Sequence, residues 1–381
     1  MVTTIAHAYP WDLVGDPEAA ARIAGLGVDA VALAASYHTV RAATPLHPEH
    51  RLVDARHAAL YVPVREQAWR GRRLVPAQPS WVDGDNSFGA AADELRAAGL
   101  PVYAWIVLTH SSRLGDQCPD LVVRNAFGDS YPYALCPAQP EVAEYCDTLV
   151  SEIVRSGQID GVVLEACGPL GFVHGGHHEK TDGTDWTPVR QQLLSLCFCT
   201  ACQARYAEAG VDVAELRAAV RAGVDGKADS VRAALGERLA EPVAAVRTGL
   251  SRELRARLVA RVRELAPQAR VVVHANAEEW ATGPFATVAG GVGADVDVLT
   301  VTCWPGPQAG TAAIRALAGE HRVAAYVLAL PPRAVDSVAL AQEWRGYVEA
   351  GASELHVYHA GLASRARLEA IRLALGAVTG S

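Results

Sequence analysis

Lysine is nearly missing from this sequence: of 34 basic residues in a chain of 381, only Lys180 and Lys227 are lysines. Arginine and alanine fill the helical stretches instead, so local composition partly reflects a codon bias and a lysine is informative where it occurs. A basic excess is missing too. The net charge of −8 and an isoelectric point near 5.9 leave no footprint for phosphate backbones, which excludes a dedicated nucleic-acid binder. No run approaches the roughly 20 consecutive apolar residues of a membrane helix, so no membrane partner is expected. The N-terminal MVTTIAHAYPWDLVGDP lacks the basic start and long apolar run of a signal peptide and reads as a strand running into a loop. No glycine-rich phosphate loop follows the first apolar run, and GxxxxGK(S/T) is absent, which argues against a nucleotide cofactor.

With 50% hydrophobic and 20% charged residues, the chain can bury a large core. Three of its eight cysteines are crowded into six residues and the rest lie singly in apolar surroundings, a usage that suits a reducing compartment, the cytoplasm. Apolar, β-rich runs alternate with helical patterns from end to end. Strands are expected at Thr4–Tyr9, Asp29–His38, Val102–His110, Gly161–Cys167, Arg270–Asn276, Val296–Trp304, Arg322–Leu330 and Glu354–His359. Helices are expected between them at Asp16–Leu26, Phe88–Ala98, Pro140–Ser156, Thr287–Gly290, Gln308–Ala318, Asp336–Glu349 and Ser364–Gly376, with several more over Thr187–Ala266. Eight such units predict an α/β fold, a (β/α)8 TIM barrel forming one domain over residues 1–381, with residues 187–266 as a helical insertion between strands 4 and 5. Long insertions at Thr39–Ser87, Ser111–Gln139 and Gly168–Trp186 all follow strands and so belong on the C-terminal face, where barrel active sites form. The first contains another β-like run, Ala59–Val64, and is expected to hold a hairpin.

The expected strand ends are polar and aromatic. They present His7, Tyr9, Trp11 and Asp12 after the first strand, Tyr37 and His38 after the second, and Trp105 and His110 on the third. Glu165 ends the fourth, His274 and Asn276 the fifth, Trp304 the sixth, and Tyr358 and His359 the eighth. A lone histidine at a strand end reads equally well as a satisfied structural residue. Five together, beside aromatic rings, suit a polyhydroxylated ligand whose C–H faces pack on Trp or Tyr and whose hydroxyls bond to His, Asn and carboxylates. A small-molecule carbohydrate is the expected partner. Glu165 is a carboxyl group closing an apolar run, where desolvation makes its pKa a candidate for tuning; the structural alternative is a buried pair with an arginine.

His174-Gly-Gly-His177-His178-Glu179-Lys180 packs five ionisable groups into seven residues after the fourth strand. Glu179 is the candidate acid/base partner of Glu165, and His174, His177, His178 and Lys180 are candidates to bind hydroxyls, or the histidines a metal. Cys197-Phe-Cys199-Thr-Ala-Cys202 is a CxCxxC run suited to a structural zinc, with a fourth ligand from Cys167, Cys136 or a nearby histidine. Buried, metal-free cysteines are the bland reading.

The segment CFCTACQARYAEAGVD, preceded by IDGVVLEACG, resembles hypothetical glycosyl-hydrolase-like TIM-barrel families of actinobacterial type, most of them uncharacterised. The resemblance is clearest over residues 100–215 and also takes in HGGHHEK and LLSLCFC. It implies a barrel hydrolase of carbohydrate metabolism, with Glu165 at the position of a fourth-strand glycosidase carboxylate. Many such enzymes carry a partner glutamate at the seventh strand, but here that strand ends in Val-Leu-Ala-Leu330-Pro-Pro, and the sixth in Thr302-Cys303-Trp304. A second carboxylate would have to be Glu179, Asp12, Asp185 or Glu279. The reading is thus a glycoside hydrolase-like enzyme, with two rivals: a divalent-metal-dependent sugar isomerase, epimerase or lyase, and a non-catalytic carbohydrate-binding barrel. Self-association into a homo-oligomer is a further expected possibility for a barrel of this kind.

Overall fold

The computed structural model of the chain describes residues 2–157, 159–173 and 180–380. Eight parallel strands close on themselves: β1 (Thr3–Ala8), β2 (Ala30–Tyr37), β3 (Val102–Val107), β4 (Gly161–Glu165), β5 (Arg270–Asn276), β6 (Val298–Thr302), β7 (Val323–Leu328) and β8 (Ala352–Tyr358). Closure comes from β1, which pairs with β2 on one side, Ile5 opposite Ala30, and with β8 on the other, Thr3 opposite Glu354. This is the (β/α)8 barrel that the alternation predicts. Strands such as β2, β3 and β7 are buried along their whole length, as a sheet must be when helices cover its outside and side chains fill its inside.

Helices follow seven of the eight strands: Ala19–Ala24, Ser87–Ala97, Pro140–Ser156, Glu237–Leu265, Pro307–Arg315, Ser337–Glu349 and Arg365–Thr379. Local chemistry sets their starts. Asn86, Asp336 and Ser364 each accept a bond from the first turn of the helix that follows. The expected helix at Thr287–Gly290 does not form. Ala286–Thr287 instead adds a two-residue strand beside β5, with Thr287 opposite Asn276.

The long loops gather at the C-terminal ends of the strands. A hairpin does form in the first, but from Val40–Ala43 and Leu52–Ala55, while Ala59–Leu60 joins β2 in antiparallel fashion, Leu60 opposite Ser36. The loop after β3 holds a second hairpin, Val122–Arg124 with Ser130–Leu135. After β4 come helices Pro188–Leu194, Thr200–Glu208, Val213–Asp225 and Val231–Leu235, which share a core of their own with that hairpin. The 29-residue helix Glu237–Leu265 joins the two cores: Leu239 and Val243 pack with the added helices, Leu258 and Val262 with the barrel.

The barrel floor carries a buried charge. Glu354, at the start of β8 and fully buried, bonds Arg270 at the start of β5, and His356 Nε2 lies 3.2 Å from its other oxygen. Burial pushes the Glu354 carboxyl up, but the bonds from His356 and Arg270 outweigh it and hold it below the usual carboxylate range. Removing one partner of such a pair leaves the other desolvated and unpaired. Glu354→Ala is expected to cost about 3 kcal/mol in urea unfolding, whereas Glu369→Ala, which breaks an exposed pair with Arg372, leaves the midpoint unchanged. Equal midpoints for the two variants would refute the floor pair as a stabilising contact.

Candidate active site

Glu165 is the last residue of β4, and its carboxyl group opens into a pocket of about 470 Å³ at the C-terminal mouth. Rings of Tyr37, Trp105, Phe285, Trp304, Tyr326 and Tyr358 wall this pocket, and His38, Asn276 and Thr302 supply polar groups. The rings hold one another: Trp304 stacks on Tyr326 at 5.3 Å, and Tyr37 meets Trp105 edge-on at 4.7 Å. Among the described residues Glu165 is the only carboxylate on the pocket wall.

The surroundings of Glu165 contain very little that would stabilise a negative charge. The Trp105 indole N–H donates to Oε2 at 2.7 Å. His274 Nδ1 stands 3.5 Å from the same oxygen, but burial, with a smaller contribution from His356, lowers the His274 pKa to about 3, so it is neutral and the contact is no ion pair at neutral pH. Burial therefore dominates. It raises the Glu165 carboxyl to about 7, against the opposing effect of the Trp105 bond. Ala166, the next residue, sits at φ +55°, a left-handed conformation costing a non-glycine residue roughly 1–2 kcal/mol, and its N–H is tied to the Pro284 carbonyl. That turn fixes the end of β4 against the loop carrying Phe285.

Several residues expected at the mouth lie deeper. His7 touches Trp105 on β3 and Tyr326 on β7, neither strand its neighbour, which is possible only through the barrel interior; it is fully buried and does not line the pocket. Tyr9 is buried behind the wall, where its hydroxyl meets that of Tyr358 at 3.1 Å and Trp11 stacks on its ring. Asp12 is buried next to them, accepts the Tyr9 N–H at 2.8 Å, and lies 3.8 Å from His359 Nδ1. Burial raises Asp12 to about 7 and lowers His359 to about 3. These residues support the wall and do not line the pocket. His110 packs its ring against His38, 4.4 Å between centres. His274 stacks on Phe285 from below.

Of the other acids considered as partners, Glu279 is held by Arg232 at 2.7 Å, and Asp185 is exposed. His174, His177, His178 and Glu179 lie outside the described residues; Lys180, at their edge, is exposed. Two of the wall's rings escaped the sequence reading, as did the polar Thr302. Tyr326 sits in mid-strand in VAAYVL, where an aromatic among small aliphatics was its only signal, and Phe285 lies in the loop after β5. Away from the mouth, Cys197, Cys199 and Cys202 gather with Cys136 into one buried group that could hold a metal ion.

No protein-family model and no curated protein matches this sequence. Solved structures do. Alpha-L-fucosidase isoenzyme 2 from Paenibacillus thiaminolyticus superposes with a TM-score of 0.61 at 13% identity over 100% of this chain, which spans about half, 49%, of that protein. The PgaB (BpsB) glycoside hydrolase domain from Bordetella bronchiseptica gives 0.61 at 15% identity, covering 98% of both chains. The catalytic domain of beta-amylase from Paenibacillus polymyxa gives 0.56 at 14%, over 96% of this chain and 94% of that one. At such identities the likeness is one of fold.

A raised carboxyl makes a testable signature in stability. Glu165 in the unfolded chain ionises near 4.5, in the folded chain near 7, so folding binds a proton between these values and stability falls as pH rises through that window. Glu165→Gln removes the penalty and lets the amide oxygen accept the Trp105 bond. The melting temperature of the variant relative to wild type is expected to climb between pH 5 and pH 8; a difference independent of pH would contradict the raised pKa.

Proposed function

We propose that this protein hydrolyses a glycoside bound in the mouth pocket, with Glu165 as its principal catalytic carboxyl group. One observation carries the reading: a single carboxyl, held partly protonated near neutral pH, at the base of an aromatic-walled pocket on the active face of a barrel. A group with a pKa near the working pH is the best proton donor to a leaving glycosidic oxygen. Trp and Tyr faces pack on sugar C–H surfaces, while Asn276, Thr302 and His38 are placed to bond hydroxyls. The pocket's volume lies in the range that encloses small ligands. The shared fold with proteins named as a fucosidase, a glycoside hydrolase domain and an amylase supports the same class.

Hydrolysis needs a second group to activate water or to attack the sugar. Glu179 is our candidate from the sequence, since among the described residues Glu165 is the only carboxylate that lines the pocket. Buried phenols at Tyr37 and Tyr326 on the wall and Tyr9 behind it, pushed well above their ordinary pKa by burial first, stay protonated and neutral. The cytoplasm is the compartment we propose, since three of the eight cysteines crowded into a CxCxxC run suit metal binding in a reducing setting.

Wild type and Glu165→Gln should be screened against a panel of aryl glycosides. The variant is expected to lose about 10² to 10⁴ in turnover. In wild type, activity should fall as pH rises through about 7, because the acid must be protonated. Full turnover by Glu165→Gln would overturn the assignment. Sugar binding that survives the substitution, with no product from either protein, would favour the binding barrel, and abolition of activity by a chelator a metal-dependent sugar enzyme.

A further inference from the structure

Four thiols meet in the second core, away from the pocket. Cys136 follows the strand Ser130–Leu135 in the loop after β3, while Cys197, Cys199 and Cys202 surround the start of the helix Thr200–Glu208 after β4. All four sulfurs lie within 4.8 Å of one another, and Cys136 Sγ is 3.5 Å from Cys202 Sγ and 3.7 Å from Cys199 Sγ. On a tetrahedral zinc with Zn–S bonds of about 2.3 Å, neighbouring sulfurs stand about 3.8 Å apart.

Two further features suit thiolates rather than thiols. Backbone N–H groups point at the sulfurs: Arg124 and Cys199 donate to Cys197 Sγ at 3.5 and 3.4 Å, and Cys202 donates to Cys199 Sγ at 3.5 Å. The second feature is Arg247, buried on the helix Glu237–Leu265, which packs against Thr200–Glu208 in the same core as the four cysteines; Tyr206 first, then Cys202, Cys197 and Cys136, are the groups that act on its charge. It is 5% exposed and donates to the Ala281 carbonyl, but its Nε has no acceptor and no carboxylate lies within 4 Å of it among the described residues. A guanidinium stays charged in proteins, and a buried charge without a counter-charge is costly. Four neutral thiols give it no anion. Four thiolates on one Zn²⁺ form a centre of net charge −2.

We infer that Cys136, Cys197, Cys199 and Cys202 bind one Zn²⁺ and that Arg247 is the counter-charge of that centre. Binding exchanges four thiol protons for the ion, with no change of oxidation state. All four positions are filled by protein, so the centre is structural. It ties the loop after β3 to the loop after β4. The same two loops are joined by Tyr131 OH to the Leu194 carbonyl at 2.9 Å and Tyr133 OH to the Phe172 carbonyl at 2.6 Å, next to Val173 on the pocket rim. The ion thus holds the rim in place, and it does so whether or not the pocket hydrolyses glycosides.

The test is elemental analysis of the full chain produced in zinc-supplemented medium. One zinc per chain is expected, and exchange with cobalt should give the visible spectrum of a tetrahedral thiolate site; neither readout depends on a variant folding. Cys136→Ser should retain less than a tenth of the zinc after dialysis against a chelator, while Cys146→Ala, which changes a buried cysteine outside the group, keeps it. Arg247→Met should weaken zinc about tenfold in competition with a chromophoric chelator, the size of a typical outer-shell loss. Metal-free protein with four freely reacting thiols, a Cys136–Cys202 disulfide, or iron in place of zinc would overturn the site. Unchanged affinity in Arg247→Met would overturn the role of Arg247.

Discussion

A carboxyl group removed from water with a single strong donor to compensate it sets the terms for everything around the mouth. The difference between about 7 and 4.5 for Glu165 corresponds to about 3 kcal/mol of lost preference for the ionised form. The rest of the molecule has to sustain that penalty. Eight strands close so that β3, β4 and β5 bring Trp105, Glu165 and His274 into contact, and the interior beneath is kept neutral by burying histidines whose own ionisation is suppressed. A lysine or arginine beside Glu165 would have favoured its charged form. The barrel keeps its paired charges elsewhere, on the floor, where Glu354 has Arg270 and His356.

The mouth and the floor are thus complementary solutions to one problem. At the floor a buried carboxylate is fully partnered and stabilises the fold; at the mouth a buried carboxyl is left with one bond and is chemically poised. Between the mouth and solvent stand the long loops. The loop after β2 packs into the barrel core, whereas the loops after β3 and β4 share a second core with the N-terminal half of Glu237–Leu265, and the four cysteines lie in it.

Much of this was legible in the sequence, for identifiable reasons. Apolar runs of six to ten residues alternating with helical periods leave few architectures besides a barrel, and Glu165 stood out as the one acid closing such a run. Depth was not legible. In tilted barrel strands, side chains alternating inward belong to different layers, so His7, Tyr9 and Trp11 read as mouth residues although tertiary packing places them below or behind it. Tyr326 failed in the opposite sense: an aromatic in mid-strand looks like core, yet the tilt of β7 carries it to the pocket wall. The CxCxxC run announced a ligand set, but Cys136 lies 66 residues before Cys202, and only the hairpin after β3 brings it there.

The account rests on the protonation of one side chain. Its most direct test is a carbon-13 NMR titration of protein labelled at glutamate carboxyl carbons, with Glu165→Gln identifying the Glu165 signal and the glutamate label excluding Asp12. A midpoint near pH 7 is the result expected of a carboxyl raised by burial. A midpoint near 4.5 would mean that Glu165 is an ordinary solvated carboxylate, and the general-acid role would fall with it.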